Sequence, residues 1–285
     1  MWQDIERTIM TLHPIVKWAG GKTQILEKLK ERMPRKFKTY YEPFVGGGAL
    51  LFAIQPKKFV VNDTNKELIA IFKCLRNPTW FEKMYSLVKE HEKNHSEEYY
   101  YQVREMDRKK NYIHLPLYVR AARAIYLNKS CFNGLYRVNS KGYFNVPFNG
   151  NLKLNCFDDE NVKALHQYFN IAKPIITSKD FSAACHKAIK GDFVYFDPPY
   201  DEPEGKNSFT TYTKCGFGRE EQARLARCFK RLDKRGVKVM LSNHNTPYIN
   251  ELYAGYNIQV IEARRAINSK GNCRGKVEEV IITNY

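Results

Sequence analysis

The sequence predicts an α/β fold in which a mainly parallel sheet is interrupted by a long helical insertion. Two short, mainly apolar runs, residues 59–62 and 193–196, each end directly at a carboxylate, Asp63 or Asp197. Such runs, bounded by loop residues, are typical of buried parallel strands. Ligands of open α/β sheets bind at the carboxyl ends of the strands, so both carboxylates are predicted to lie at a binding edge.

The order of the predicted elements divides the chain. Residues 1 to 73 give helix, strand, glycine turn, helix, strand and helix, whereas residues 77–173 are mainly helical. In that stretch Phe81, Met84, Tyr85 and Val88 share one helical face, which favours a core. Further strands are predicted at 175–177, 193–196, 237–241, 258–262 and 277–283, with a basic helix at 218–235. We therefore predict a discontinuous domain, 1–73 with 174–285, and an inserted domain, 74–173.

The motif Asp197-Pro198-Pro199-Tyr200 carries the most chemical information. Asp197 can accept a hydrogen bond from an amino group on a flat base. The carbonyl of Pro198 can accept another, with its direction restricted by the fixed proline φ. Tyr200 can stack on the ring. The alternative is a rigid turn after a strand.

A glycine turn and a strand-end acid predict a nucleotide-like cofactor. Gly46-Gly47-Gly48 lies between a predicted strand and a predicted helix, where glycines allow close backbone approach and the helix supplies free N–H groups. The dinucleotide fingerprint is excluded because Leu51 stands where it needs glycine. Asp63 follows at the spacing of an acid that binds ribose hydroxyls. The alternatives are a plain glycine turn and, for Asp63 or Thr64, a helix N-cap.

Near the N-terminus, Gly20-Gly21-Lys22-Thr23 invites comparison with a phosphate-binding loop. That motif fails, because Val16 stands where it requires glycine. Lys22, after glycines at a predicted helix start, can still pair with a ligand carboxylate.

The middle of the chain interleaves aromatic, amide and basic residues. Residues 129–139 are followed by residues 143–148, with Ser140-Lys141-Gly142 as a turn between them. Side chains of this mixture contact bases and phosphates. An ordinary β-hairpin is the alternative, and a hairpin can itself enter a groove.

Composition points to a polyanionic partner and excludes other classes. Lysine and arginine total 47 against 30 acidic residues, a formal charge of +17. The seven cysteines show no metal-ligand spacing, so we expect no metal. Their odd number and the lack of a signal peptide predict a protein of the reducing cytoplasm, and the DNA partner considered below would make it nucleoid-associated. No stretch is long enough to span a membrane, and a monomer is the default expectation.

Taken together, these motifs resemble the Dam-type (D12 class, alpha group) DNA adenine-N6 methyltransferases, in the branch that includes the methylase of the DpnII restriction system. Residues 14–22 and 42–48, Asn62-Asp63 and residues 197–200 match in the family's order, and the resemblance runs from Pro14 to Tyr285. It implies a Rossmann-like methyltransferase sheet, a target-recognition domain carrying a β-hairpin, S-adenosyl-L-methionine as cofactor and double-stranded DNA as substrate. A restriction endonuclease is a possible companion.

The resemblance also implies roles for individual residues. Asp197, Pro198 and Tyr200 would be catalytic. The cofactor would be bound by Trp18, Lys22, Phe44, Gly46, Gly48, Asp63, Asp180, Phe181 and Asp197. DNA would be contacted by Phe132, Asn133, Leu135, Arg137, Asn145 and Pro147. Asp180 has a helix N-cap as its alternative role, and Ser242-Asn243 would line the target pocket.

One departure concerns the recognised DNA sequence. GATC-reading relatives carry an arginine shortly after Val-Pro-Phe, whereas residues 146–153 here contain none. Bidentate reading of guanine by arginine is hard to replace. Either Asn149, Asn151 or Lys153 takes its place, or the site differs from GATC.

The predicted reaction is methyl transfer to the N6 of an adenine flipped out of the duplex. Methylation of RNA adenine or of cytosine N4 remains open, because the same acceptors suit both. An ATPase is disfavoured by the broken phosphate loop. A non-enzymatic DNA-binding protein is disfavoured by the intact Lys22, Asp63 and Asp197. The basic segment 264–274 is predicted to be a mobile loop near DNA, or else a solvated surface loop.

Overall fold

A computed structural model describes residues 11–202, 216–264 and 276–285. The helices in these ranges are α1 (Leu26–Arg32), α2 (Ala49–Ile54), α3 (Lys66–Arg76), α4 (Pro78–Lys93), α5 (Glu97–Glu105), α6 (Leu117–Ser130), α7 (Asp159–Ala172), α8 (Phe181–Ala184), α9 (Arg219–Lys234) and α10 (Pro247–Leu252). The strands are β1 (Tyr40–Glu42), β2 (Phe59–Asn62), β3 (Ile175–Thr177), β4 (Phe193–Phe196), β5 (Lys238–His244), β6 (Asn257–Arg264) and β7 (Lys276–Thr283).

The strands form one seven-stranded sheet in the order β3-β2-β1-β4-β5-β7-β6. The first five of these are parallel, and β7 runs antiparallel to both β5 and β6. This confirms the α/β prediction with a mainly parallel sheet. It also places the carboxyl ends of β1, β2, β4 and β5 at one edge of the sheet.

Strand β4 is central, and this explains its composition. It pairs with β1 on one side and β5 on the other, and all four of its residues are buried. A strand covered on both faces reads as a continuous apolar run instead of an alternating one. Helix α9 packs on the same core through Leu225, Phe229 and Leu232, which recur at helical spacing.

The chain separates into two compact units. One contains the whole sheet and comprises residues 22–45, 56–69 and 174–285. The other comprises residues 1–21, 46–55 and 70–173, and contains α2 and α4 to α7. This division and the predicted domains share one boundary, between residues 173 and 174. Assigning cofactor binding and DNA recognition to separate domains remains a prediction.

Capping side chains begin α4, α5 and α7 in the second unit. The Asn77 side chain accepts a hydrogen bond from the N–H of Trp80, and Pro78 occupies the first turn of α4. Asp158 caps α7 in the same way. Phe81, Met84 and Val88 are buried along α4, so the face predicted from the sequence lies in a core.

The predicted hairpin is present, but its arms are not continuous strands. Two isolated antiparallel bridges join them, Cys131 with Phe148 and Val138 with Phe144, together with further backbone hydrogen bonds between the arms. The turn is present, because the Asn139 side chain accepts hydrogen bonds from the N–H groups of Lys141 and Tyr143. A 3-10 turn at Phe132–Gly134 interrupts one arm, and Pro147 on the other has no N–H to donate.

Most of the predicted basic loop, residues 265–274, lies outside the described residues. Within the ranges that are described, no helix is long and apolar enough to cross a membrane.

Candidate active site

Asp197 lies directly after β4, at the carboxyl edge of the sheet. Lys22 stands at the start of a 3-10 turn, Lys22–Gln24, and its Nζ lies 2.7 Å from Oδ1 of Asp197. Ser242, near the end of β5, donates its hydroxyl to the same oxygen at 3.1 Å. The structure therefore brings together residues from three distant parts of the sequence. We call Lys22, Asp197 and Ser242 the candidate catalytic cluster.

Burial and the neighbouring groups have opposite effects on the pKa of Asp197. Burial raises the pKa of the Asp197 carboxyl, whereas the Lys22 ammonium and the Ser242 hydroxyl act to lower that pKa. The net direction is upward. Both partners contact Oδ1, and no hydrogen bond from the described residues is found at Oδ2. This leaves Oδ2 to accept a hydrogen bond from a substrate.

Tyr200 is fixed by three contacts around its ring. Its hydroxyl donates to Oε2 of Glu279 on β7 at 3.2 Å. The Lys22 Nζ lies 4.5 Å from the ring centroid, and His244 packs edge-on at 4.9 Å between centroids. Burial raises the pKa of Glu279. The predicted stacking partner is thus held by residues of β5, β7 and the N-terminal turn.

A buried polar network holds the backbone of the motif. The Gln222 amide on α9 donates to the carbonyl of Pro199 at 2.7 Å, and Asn243 donates to the Gln222 side-chain oxygen at 3.1 Å. Asn243 also accepts from the N–H of Asp201 at 2.9 Å, while Thr246 donates to the Asp201 carboxylate at 2.7 Å. All four of these side chains are buried.

The network has a consequence for the two proline carbonyls. Because Gln222 occupies the carbonyl of Pro199, that oxygen is used for structure. No hydrogen bond to the carbonyl of Pro198 is found within the described parts of the chain. The Pro198 carbonyl thus has no partner among the described residues, and its predicted role as a substrate acceptor stays a prediction.

Asn62 and Asp63 end β2 at the same edge. The Asn62 amide donates to the carbonyls of Pro43 and Lys179 at 3.0 and 2.9 Å, which ties β2 to two neighbouring loops. The Asp63 carboxylate accepts from the N–H of Asn65 at 2.9 Å. Asn65 itself caps α3, so the proposed N-cap role of Asp63 or Thr64 is wrong. The ribose-binding role of Asp63 stays a prediction.

Asp180 takes the alternative role considered for it. It caps α8 by accepting from the N–H of Ser182, and it pairs with Arg224 at 2.6 Å. The Arg224 guanidinium is the main reason that the pKa of Asp180 is lowered. Phe181 is buried, and its ring stacks on Phe44 with centroids 5.3 Å apart. The predicted contacts of these residues with a cofactor adenine remain untested.

In the second unit, Trp18 explains the glycine at position 46. Gly46 has φ +49°, and a Cβ there would lie 2.9 Å from Cδ1 of Trp18. Gly48 has φ +79°, and its Cβ would lie 3.0 Å from the Phe52 ring. Both positions therefore require glycine for backbone conformation and for space. This supports the glycine-turn interpretation and leaves cofactor contact a prediction.

The predicted DNA-contacting segment presents several exposed side chains. Phe132 is 51% exposed although it is large and apolar. Asn133 has φ +55°, a left-handed conformation that few residues other than glycine adopt. Arg137 donates to the side-chain oxygen of Asn145 at 2.8 Å, so these two predicted contacts lie together. The Pro147 carbonyl accepts from the N–H of Phe132 at 2.9 Å, which holds the backbone that carries the exposed ring.

Sequence reasoning missed part of the site. It named Ser242 and Asn243 because they lie near a predicted strand end, but it did not find Gln222, Thr246 or Glu279. No local signal marks these three, since each acts through a contact distant in sequence. Within the described ranges no group of three His, Cys, Asp or Glu residues is placed to hold a metal ion.

Comparison with known proteins identifies the family. The model of the D12 class N6 adenine-specific DNA methyltransferases matches residues 18–267 of this chain. This chain belongs to that family. The D12 methyltransferase assignment agrees with the mainly parallel sheet and with the motif after β4.

Curated relatives extend the D12 methyltransferase match to nearly the full length. The chain is 43% identical over 282 residues to the Type II methyltransferase M1.LlaDCHI of Lactococcus lactis subsp. cremoris, covering 99% of this chain and 98% of that protein. It is 41% identical to the Type II methyltransferase M.MjaIII of Methanocaldococcus jannaschii, covering 97% and 100%. It is 31% identical to the DNA adenine methylase of Escherichia coli K12, covering 93% of each.

Proposed function

We propose that this enzyme transfers a methyl group from S-adenosyl-L-methionine to N6 of an adenine flipped out of double-stranded DNA. The observation that carries the proposal is the arrangement after β4. Asp197 is held through Oδ1 by Lys22 and Ser242, and the Pro198 carbonyl beside it makes no hydrogen bond within the described residues. Two acceptors at one strand end suit an amino group with two hydrogens.

The chemistry of the residues fits the proposed cofactor. When bound, S-adenosyl-L-methionine supplies a methyl group activated by a sulfonium. Asp63, at the end of β2, offers a carboxylate to ribose hydroxyls. Gly46 and Gly48 carry no side chains and so allow close backbone approach before α2. Trp18, Lys22, Phe44, Asp180, Phe181 and Asp197 complete the proposed cofactor-binding set.

The catalytic role of the chain is positioning. The lone pair of adenine N6 is delocalised into the ring, so the free base is a poor nucleophile. Oδ2 of Asp197 and the carbonyl of Pro198 would each accept one amino hydrogen and thereby localise the lone pair on N6. Tyr200 would stack on the flipped ring, and base–aromatic stacking contributes about 1–3 kcal/mol. Rate acceleration then comes mainly from orientation and electrostatics.

DNA recognition is assigned to the exposed segment of the helical unit. Phe132 and Asn133 would insert near the flipped adenine, and Leu135, Arg137, Asn145 and Pro147 would contact bases or backbone. Three residues could replace the missing arginine. The side-chain oxygen of one of them, Asn149, already accepts a hydrogen bond from the N–H of Asn151. Lys153 is exposed and has no ion pair among the described residues, so we favour it as the outer base contact.

The biological setting is inferred from relatives. Two of them are named Type II methyltransferases, which supports a role beside a restriction endonuclease. The enzyme would act as a monomer at the nucleoid. Because the family is adenine-specific and acts on DNA, RNA adenine and cytosine N4 become secondary substrates for testing.

The deciding experiment is modification-sensitive sequencing of DNA from cells that express this chain or its Asp197→Ala variant. N6-methyladenine in one short motif, absent with the variant, is the expected result and reveals the recognised site. A GATC site would mean that Lys153 or a neighbouring amide replaces the arginine. Unmethylated DNA with an expressed, folded protein would contradict the proposal.

A further inference from the structure

A cleft of about 940 Å³ opens in the sheet-containing unit, at the amino edge of the sheet. One wall is the end of α1 and the segment after it. The other wall is formed by the start of β5, the start of β6 and the end of β7. We call it the amino-edge cleft. None of the proposed catalytic or cofactor-binding residues lines it.

The lining of this cleft is strongly cationic. Arg32, Arg35, Lys36 and Lys238 all line it, and Glu31 is the one acidic residue among its lining residues. All five are exposed, and the four cations form no ion pair within the described parts of the chain. The Lys238 Nζ lies 5.6 Å from the centroid of the Tyr285 ring, at the base of the cleft. The cleft thus offers several uncompensated positive charges to a ligand.

The amino-edge cleft is well separated from the candidate catalytic cluster. Lys238 is the first residue of β5, whereas Ser242 and His244 lie toward the carboxyl end of that strand. At about 3.3 Å per residue, the seven-residue strand places its two ends roughly 20 Å apart. A duplex seated at the carboxyl edge therefore does not fill the cleft with the same phosphates.

We propose that the amino-edge cleft binds the phosphate backbone of a second segment of DNA. Lysine and arginine are the side chains that neutralise phosphates, and duplex DNA presents one negative charge per about 1.7 Å of its axis. The cations come from α1, from the segment after it and from β5, which suits a chain of phosphates better than one compact anion. This inference depends on the family's DNA substrate and is independent of the proposed catalytic residues.

Binding of a second DNA segment in the cleft can strengthen the complex only when the DNA is long. Duplex DNA is stiff over about 150 base pairs, so a duplex of roughly 20 base pairs cannot bend from the carboxyl edge into the cleft. A duplex several persistence lengths long can supply both segments at once. The second contact then raises the effective concentration of DNA at the carboxyl edge.

The test compares the unmodified enzyme with a variant in which all four cations of the cleft are replaced, Arg32→Gln/Arg35→Gln/Lys36→Gln/Lys238→Gln. We call it the cleft variant. The matched control is Lys187→Gln/Arg227→Gln/Lys230→Gln/Lys234→Gln, which removes four exposed cations that do not line the cleft. Each protein is measured for methylation of a short duplex and for affinity to a long duplex at several salt concentrations. Circular dichroism and thermal melting verify folding.

The cleft variant should methylate the short duplex with unchanged kcat and KM. On the long duplex its Kd should rise at least about tenfold, and the slope of log K against log salt should flatten by up to about 3.6, or 0.9 per cation. The control should show a markedly smaller change. If the quadruple variant does not fold, Lys36→Gln/Lys238→Gln should show about half of the slope change.

Three results would overturn the proposal. An unchanged affinity and slope on long DNA would show that the cleft does not bind it. An equal loss in the control would assign the effect to net charge alone. Binding of a fluorescent nucleoside monophosphate in the cleft, without any change in long-DNA affinity, would assign the cleft to a small ligand. If the unmodified protein does not methylate the short duplex, that result would instead count against the proposed function.

Discussion

The Nζ of Lys22 lies 2.7 Å from Oδ1 of Asp197, and both side chains are largely shielded from solvent. Lysine and aspartate are separated by 175 positions in the sequence, yet they meet at the edge where β4 ends. The sequence suggested that Lys22 pairs with the carboxylate of a bound ligand. In the structure its partner is Asp197, a carboxylate of the chain itself, and the Lys22 ammonium acts to lower the pKa of Asp197 against the larger effect of burial.

Replacement of Asp197 by alanine should abolish methyl transfer and leave DNA binding largely intact. The change removes the proposed acceptor, and loss of one oriented electrostatic group commonly costs about 10²–10³ in kcat. Transfer of labelled methyl groups and a DNA-binding assay measure the two properties separately. A variant that methylates at a near-normal rate would refute the assignment.

Lys22→Ala separates two roles for the lysine. If Lys22 also binds the cofactor, the variant should bind S-adenosyl-L-methionine more weakly in calorimetry. If its role is to keep Asp197 charged, the pKa of Asp197 should rise, and kcat should fall most at low pH. We expect both effects. An unchanged cofactor affinity would contradict the first role and leave the second.

Ser242→Ala should move the acid limb of the pH–rate profile to higher pH. The Ser242 hydroxyl acts to lower the pKa of Asp197, whose net pKa is raised by burial. Removing that hydroxyl raises the pKa further. The carboxylate is the active form, so activity should be lost at a higher pH as the solution is acidified. Measurement of kcat at saturating substrates across pH tests this, and an unshifted limb would count against it.

Gln222→Ala should lower kcat through the position of the Pro198 carbonyl. The variant leaves the Pro199 carbonyl and the Asn243 amide without their buried partner. A buried unsatisfied group costs about 1–3 kcal/mol, so the melting temperature should also fall.

The matched control is Asn284→Ala, which removes an amide bonded to Val239 and Val237 in the same unit. It should lose comparable stability with little change in kcat. If both variants lose kcat in proportion to stability, the network is structural only.

Phe132→Ala should raise the KM for DNA and leave cofactor affinity unchanged. Phe132 is 51% exposed, and its backbone N–H is held by a hydrogen bond to the Pro147 carbonyl. Ile113→Ala is the matched control, because Ile113 is a 68% exposed apolar residue outside the predicted DNA-contacting segment. Equal effects of the two changes would remove Phe132 from the proposed interface.

The sheet was predictable because its signals are local. Four apolar residues before Asp197 mark β4, three apolar residues and Asn62 before Asp63 mark β2, and the structure places both strands as predicted. The hairpin turn was also predictable, but residue type alone did not indicate the 3-10 turn at Phe132–Gly134 that interrupts one arm. Contacts between segments that are distant in sequence were the hardest to predict. Neither the pairing of Gln222 with Pro199 nor that of Glu279 with Tyr200 leaves a trace in sequence spacing.

The position of β7 in the sheet has a consequence for biosynthesis. Strand β7 inserts between β5 and β6, and its Glu279 supplies the hydrogen bond that holds Tyr200. A ribosome that has translated β1 to β6 has therefore produced a chain whose Tyr200 still lacks that partner. The nascent protein can acquire a fully ordered motif only once residues 276–283 have left the exit tunnel, so a partly synthesised chain that lacks them should not yet methylate DNA.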